Sequence, residues 1–90
     1  MKRIRYVFKG RVQGVGFRFT TIHYANQLNL TGWVKNMGDG SVLMEVQGEE
    51  FKIKSLIHYL NSDHYIRIDS FDKKEISVLE NDQGFGLKGY

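Results

Sequence analysis

Ninety residues make one small domain, 1–90, with a modest core and no room for a lid or a separate cofactor domain. The composition, 41% hydrophobic and 26% charged, is that of a folded chain, and the absence of cysteine excludes disulfides, thiolate nucleophiles and cysteine zinc sites. A net charge of +3 suits a phosphate compound and a nucleic acid equally, so charge by itself decides nothing.

The N-terminal segment Met1–Lys9 is basic, but charge interrupts every apolar run. Neither a secretory leader nor a membrane span is expected there, and a cytoplasmic protein is the reading adopted. Ile4, Tyr6 and Phe8 alternate with Arg3, Arg5, Val7 and Lys9, which predicts a strand over 3–9. Lys2, Arg3, Arg5, Lys9, Arg11 and Arg18 all precede the first acid, Asp39. That pattern is either a solvated strand face or a positive field that draws in an anion.

Gly10 to Gly16 carries three glycines in seven residues and reads as a loop. From Arg18 the period changes. Phe19, Ile22, Ala25 and Leu28 recur every three residues, as on one helix face, and Asn29 suits a left-handed end. Strands are expected over 30–35 and 41–47, joined by a turn at Asp39-Gly40. Ile53, Leu56, Ile57 and Leu60 mark a second amphipathic helix. Residues 65–80 read as one long strand or two short ones broken near 72–74, and 85–90 as a last short strand. The order β-α-β-β-α-β predicts an α+β, ferredoxin-like sandwich: an antiparallel sheet, two helices on one face and an optional extra C-terminal strand.

The informative stretch is Gly10-Arg11-Val12-Gln13-Gly14-Val15-Gly16-Phe17-Arg18. A glycine-rich loop entering a helix can point its amides inward together. The helix start adds free N–H groups and a positive dipole end, and Arg18 adds a planar charged fork. Together they describe a cradle for one phosphate-sized dianion. A Walker loop is excluded because Val15 follows Gly14, and a dinucleotide fingerprint because Phe19 stands where its third glycine belongs.

This string resembles the acylphosphatase signature Gly-x-Val-Gln-Gly-Val-x-Phe-Arg at every specified position. Gly32-Trp33-Val34-Lys35-Asn36-x-x-Asp39-Gly40-x-Val42 resembles the second signature of the same family. The likeness covers essentially the whole chain and thins after Tyr59, and Asn29 stands where a glycine is common. It implies hydrolysis of acyl phosphates to carboxylate and inorganic phosphate. Arg18 then matches the phosphate-binding arginine and Asn36 the residue that orients the attacking water. The amides of Gln13, Gly14, Val15, Gly16, Phe17 and Arg18 match the phosphate-binding loop. The resemblance also implies a small-molecule acyl phosphate as substrate, inorganic phosphate as product and inhibitor, and a monomer. No metal, cofactor, nucleic acid or membrane is expected to take part.

Other residues carry plainer readings. Arg18 alone would be a surface helix residue, and Asn36 alone a turn residue. Gln13 is expected to make a structural loop bond and Asp39 to shape its turn. Trp33 reads as half-buried in its strand. His23, His58 and His64 lie too far apart in sequence for a metal set, and Thr20, Thr21 and Ser41 lack a neighbouring base. Two rival readings remain. A ferredoxin-like nucleic-acid-binding module without catalysis would need aromatics on its third strand, and 42–47 has none. A domain of a larger carbamoyl-transfer enzyme would be followed by more chain than ends at Tyr90.

Overall fold

A computed structural model describes residues 1–89. The elements run β1 (Lys2–Arg11), α1 (Phe17–Gln27), β2 (Thr31–Asn36), β3 (Val42–Gly48), α2 (Glu50–Ser62), β4 (Arg67–Ile76) and β5 (Phe85–Leu87). They form one five-stranded sheet in the order β4-β1-β3-β2-β5. The first four strands pair antiparallel, and β5 joins parallel to β2, so the sheet is mixed. The expected ferredoxin-like core is present with its optional extra strand. Tyr90, placed in that last strand from sequence, lies outside the described residues.

Alternation along the strands sets the two faces. Ile4, Tyr6 and Phe8 oppose Val46, Met44 and Val42, and Val34 opposes Met44. All seven are buried and form one wall of the core. The helices supply the other wall through Phe17, Thr21 and Ala25 of α1 and Ile53, Leu56 and Leu60 of α2. Phe8 stacks on Tyr6 at 5.3 Å and meets Phe17 at 5.2 Å, so the loop between β1 and α1 is pinned at both ends by core aromatics.

The structure corrects or completes the sequence reading at three points. The buried stripe of α1 is Phe17, Thr21 and Ala25, and Phe19 is 70% exposed. The every-third-residue pattern missed this because Thr21 satisfies its hydroxyl locally, donating to Phe17 O at 2.7 Å, and so behaves as a core residue. β4 is one unbroken strand: its outer residues are charged and exposed, and continuous pairing from Arg3 to Lys9 of β1 sets its register. The basic end of β1 is neither a bare solvated face nor an open field. Lys2 pairs with Glu50 and Glu75, while Arg3 and Arg5 close on Glu45.

That last cluster anchors the connection from β4 to β5, which must pass from one sheet edge to the other. Arg3, 2% exposed, sends Nε and Nη2 to Glu45 Oε1, both at 3.1 Å, and Nη1 to Asp82 Oδ2 at 2.8 Å. Gln47 exchanges two bonds with the Leu79 backbone, at 2.8 and 2.9 Å. Burial pushes the Glu45 carboxyl up, but bonds from Arg5 and Arg3 outweigh it and hold the group below its ordinary value.

The end of α1 follows its sequence signal. Asn29 takes φ 57°, and the Leu30 and Asn29 amides return to Ala25 O and Asn26 O at 2.9 and 3.1 Å. This pair of bonds is a Schellman cap.

Candidate active site

The site begins where β1 shifts register against β4, between Lys9 and Gly10. A Cβ at Gly10 would stand 2.3 Å from Arg67 O, so only glycine allows this approach. Val12, 1% exposed, then fastens the loop to the core. Gln13 Nε2 donates to Met37 O at 2.8 Å and Ser41 O at 2.9 Å. Its side chain therefore ties the loop to the β2–β3 turn, as expected for a structural bond, and fixes the height of one against the other.

Gly14 and Gly16 both take left-handed φ, 74° and 79°, with nothing within 4 Å of the place a Cβ would occupy. Glycine is needed here for the backbone path, and the space above it is left open. Gly16 is the N-cap of α1 and offers no side-chain cap, and the first turn holds no acid. The first intrahelical bond is Thr20 N to Gly16 O at 2.9 Å. The amides of Phe17, Arg18 and Phe19 precede it and have no partner within the helix. Among the described residues, then, neither a side-chain cap nor a first-turn acid compensates the positive end of α1. In α2, by contrast, Glu50 occupies the first turn.

These donors open onto a cavity of about 150 Å³ lined by Val12, Gly14, Gly16, Phe17, Arg18, Phe19 and Asn36. Asn36 is the last residue of β2 and opposes Val42, which puts it on the helix-bearing face of the sheet. Every other lining residue comes from 12–19. Arg18 and Asn36, far apart in sequence, therefore meet across one cleft. Both are half-buried, and among the described residues the Arg18 guanidinium makes no ion pair. Gln13 and Val15, named from sequence with the loop, do not line the cavity. Gln13 is turned to the hairpin and Val15 packs partly on the core.

Among the described residues, Arg18 is the one cation that lines this cleft. With Lys2, Arg3 and Arg5 engaged elsewhere, Lys9 and Arg11 remain beside the loop with Arg18. A larger hollow of about 280 Å³ borders Lys9, Gly10, Asp39, Gly40 and Ser41. Its polar groups satisfy one another: the Asp39 carboxylate accepts Ser41 N at 2.9 Å and Ser41 Oγ at 2.6 Å, which lowers its pKa. The smaller cleft, with its unanswered donors, is the better site. Asp39 shapes the turn as expected, and Ser41 is committed to it. His23, His58 and His64 are exposed, and no group of three or more His, Asp or Glu side chains among the described residues is gathered to hold a metal.

The acylphosphatase family model matches residues 4–87. The chain belongs to the acylphosphatase family. It is 42% identical over 86 residues to the acylphosphatase of Clostridium perfringens, covering 94% of this chain and 97% of that one. The acylphosphatase of Bacillus subtilis superposes with a TM-score of 0.90 at 31% identity, over 99% of this chain and 100% of the other. The T. kodakarensis HypF structure contains a similar unit, with a TM-score of 0.84 at 37% identity, that covers all of this chain and 12% of that protein. The acylphosphatase fold therefore also occurs as a small part of a larger chain. No helix here is long and apolar enough to cross a membrane among the described residues. The nucleic-acid-binding reading is not favoured.

Proposed function

We propose that this acylphosphatase hydrolyses carboxyl-phosphate anhydrides, with Arg18 and the amides of the 13–18 loop holding the phosphate and Asn36 placing the attacking water. One observation carries the assignment: an α1 N-terminus with no side-chain cap and no acid in its first turn opens onto a cleft shared by Asn36 and Arg18, which makes no ion pair among the described residues.

The chemistry suits so spare a site. A phosphoryl group in transfer passes through a loose transition state with charge on its peripheral oxygens. Amides and a guanidinium already aimed at those oxygens stabilise that charge without reorganising. The Arg18 fork can take two oxygens at once. Asn36 accepts a hydrogen bond from water and orients its lone pair, but is too weak a base to take the proton. As the water oxygen bonds to phosphorus, the P–O bond to the acyl group breaks and the carboxylate leaves with the electron pair. The water proton passes to a phosphate oxygen. A carboxylate leaves readily, so no strong general acid is needed, and the cationic cradle balances the dianion without a metal.

Inorganic phosphate is then a competitive inhibitor, since it fills the same cradle. One chain builds the whole cleft, which supports a monomer, and a cysteine-free composition suits the reducing cytoplasm. The test is a division of labour. Asn36→Ala, shown folded by circular dichroism, is expected to lose most of its kcat while inorganic phosphate still binds as it does to the wild type. Arg18→Lys is expected to lose phosphate affinity as well as turnover, about 2–4 kcal/mol or roughly 30- to 1000-fold. A folded Asn36→Ala that turns over normally, or loses phosphate binding as badly as Arg18→Lys, overturns the assignment.

A further inference from the structure

Phe19 is 70% exposed, yet it borders the cleft with Arg18 and Asn36. Other aromatics are equally bare, Phe51 at 64% and Tyr65 at 71%, but neither borders this cavity. The exposure of Phe19 follows from helix geometry. Phe17, Thr21 and Ala25 point into the core, and Phe19 lies two residues on from Phe17, about 200° around the helix. Side chains on a helix tilt toward its N-terminus, so the ring leans back over the first turn, toward the mouth of the cleft.

In-line displacement places the leaving group on the side of phosphorus opposite the attacking water. If Asn36 holds that water, the acyl group leaves on the side away from Asn36, and Phe19 is the exposed side chain at the rim of the cleft there. We infer that Phe19 is a specificity-determining residue whose ring forms an apolar platform for the acyl group, favouring planar aromatic acyl phosphates over small aliphatic ones. This rests on the proposed seating of the phosphate at Arg18. A ring-on-ring contact at an exposed site is worth about a 2- to 10-fold preference.

The experiment measures kcat and KM of wild type, Phe19→Ala and Phe19→Tyr with benzoyl phosphate and acetyl phosphate, with inhibition by inorganic phosphate in parallel. Phe19 contributes nothing to the core, so Phe19→Ala is expected to melt as the wild type does. The expected result is a 2- to 10-fold fall in the benzoyl-to-acetyl ratio of kcat/KM in Phe19→Ala, carried mainly by the KM for benzoyl phosphate. The phosphate inhibition constant stays within error of wild type, and Phe19→Tyr retains the ratio. An unmoved ratio in Phe19→Ala, with phosphate still competing, overturns the platform alone. A rise in the phosphate constant in step with both KM values overturns it too, and reassigns Phe19 to the shape of the cradle. Wild-type protein that turns over neither compound, or is not inhibited by phosphate, overturns the reading of the cleft and this inference with it.

Discussion

Replacing Arg3 by methionine tests whether the buried ion cluster holds the long connection across the sheet. Arg3 satisfies Glu45 Oε1 twice and Asp82 once, and its guanidinium is nearly inaccessible. Methionine fills similar space but leaves Glu45, with a side chain 10% exposed, holding only the Arg5 bonds at its other oxygen. Breaking a buried pair from one side costs about 3–5 kcal/mol. Because Arg5 still holds Glu45 Oε2, the lower end, about 3 kcal/mol, is expected. A chain of 90 residues has roughly 5–13 kcal/mol of stability to lose from. At about 4–8 °C per kcal/mol for a domain of this size, Tm falls by roughly 12–24 °C. Thermal and urea melts followed by circular dichroism measure it. The double variant Arg3→Met/Glu45→Leu removes the stranded charge and is expected to recover most of the loss. A single variant within 1 kcal/mol of wild type, or a double variant no better than the single, refutes the reasoning. Activity per folded molecule should stay intact, because Arg3 lies at the far end of β1 from the loop.

Three further outcomes follow from the same geometry. Gly16→Ala meets no atom of the chain but keeps a left-handed backbone, at a cost of about 1–2 kcal/mol; its methyl stands on the cavity wall, so turnover should fall further than a melting curve accounts for, and equal losses would remove Gly16 from the site. Activity is expected to survive excess EDTA; loss on chelation with recovery on adding Mg²⁺ or Zn²⁺ would end the metal-free mechanism. Glu45 has its pKa held below the ordinary 4.5, so its share of stability is present above that value and lost as pH falls beneath it. Tm should therefore drop on acidification below about pH 4.5, and Glu45→Gln should flatten the slope; an equally steep fall in the variant would assign acid sensitivity elsewhere.

The strand and helix order was legible because strand alternation stops at the Gly10–Gly16 loop and the period changes from Arg18. The residues that line the candidate cleft were legible because the glycines and Arg18 sit within nine residues and the second signature carries Asn36. What sequence did not show were partnerships set by register. Glu45 was the available signal, a lone acid inside the apolar run Val42–Val46, but nothing local indicated that Arg5 opposes it on β1 and that Arg3, opposite Gln47, reaches it on the diagonal. The α1 stripe was misplaced for a similar reason. A buried threonine and an exposed phenylalanine reverse the usual sorting, and only the cleft beside Phe19 gives that reversal a purpose. The double bond from Gln13 to the hairpin depends on two carbonyls 24 and 28 residues away, beyond any local pattern.

The outer strand β4 has a consequence for life at high concentration. A free sheet edge is a template on which a second chain can add a strand and begin a fibril. Along β4, Asp69, Asp72, Lys73, Lys74 and Glu75 are all exposed, so an approaching strand must strip water from charges of both signs. The opposite edge, β5, is only three residues long and offers too short a ladder to seed growth. In the folded sheet the core strands β1 and β3 are flanked by neighbours that discourage recruitment. Neither edge of the folded sheet is therefore a good template for a second chain.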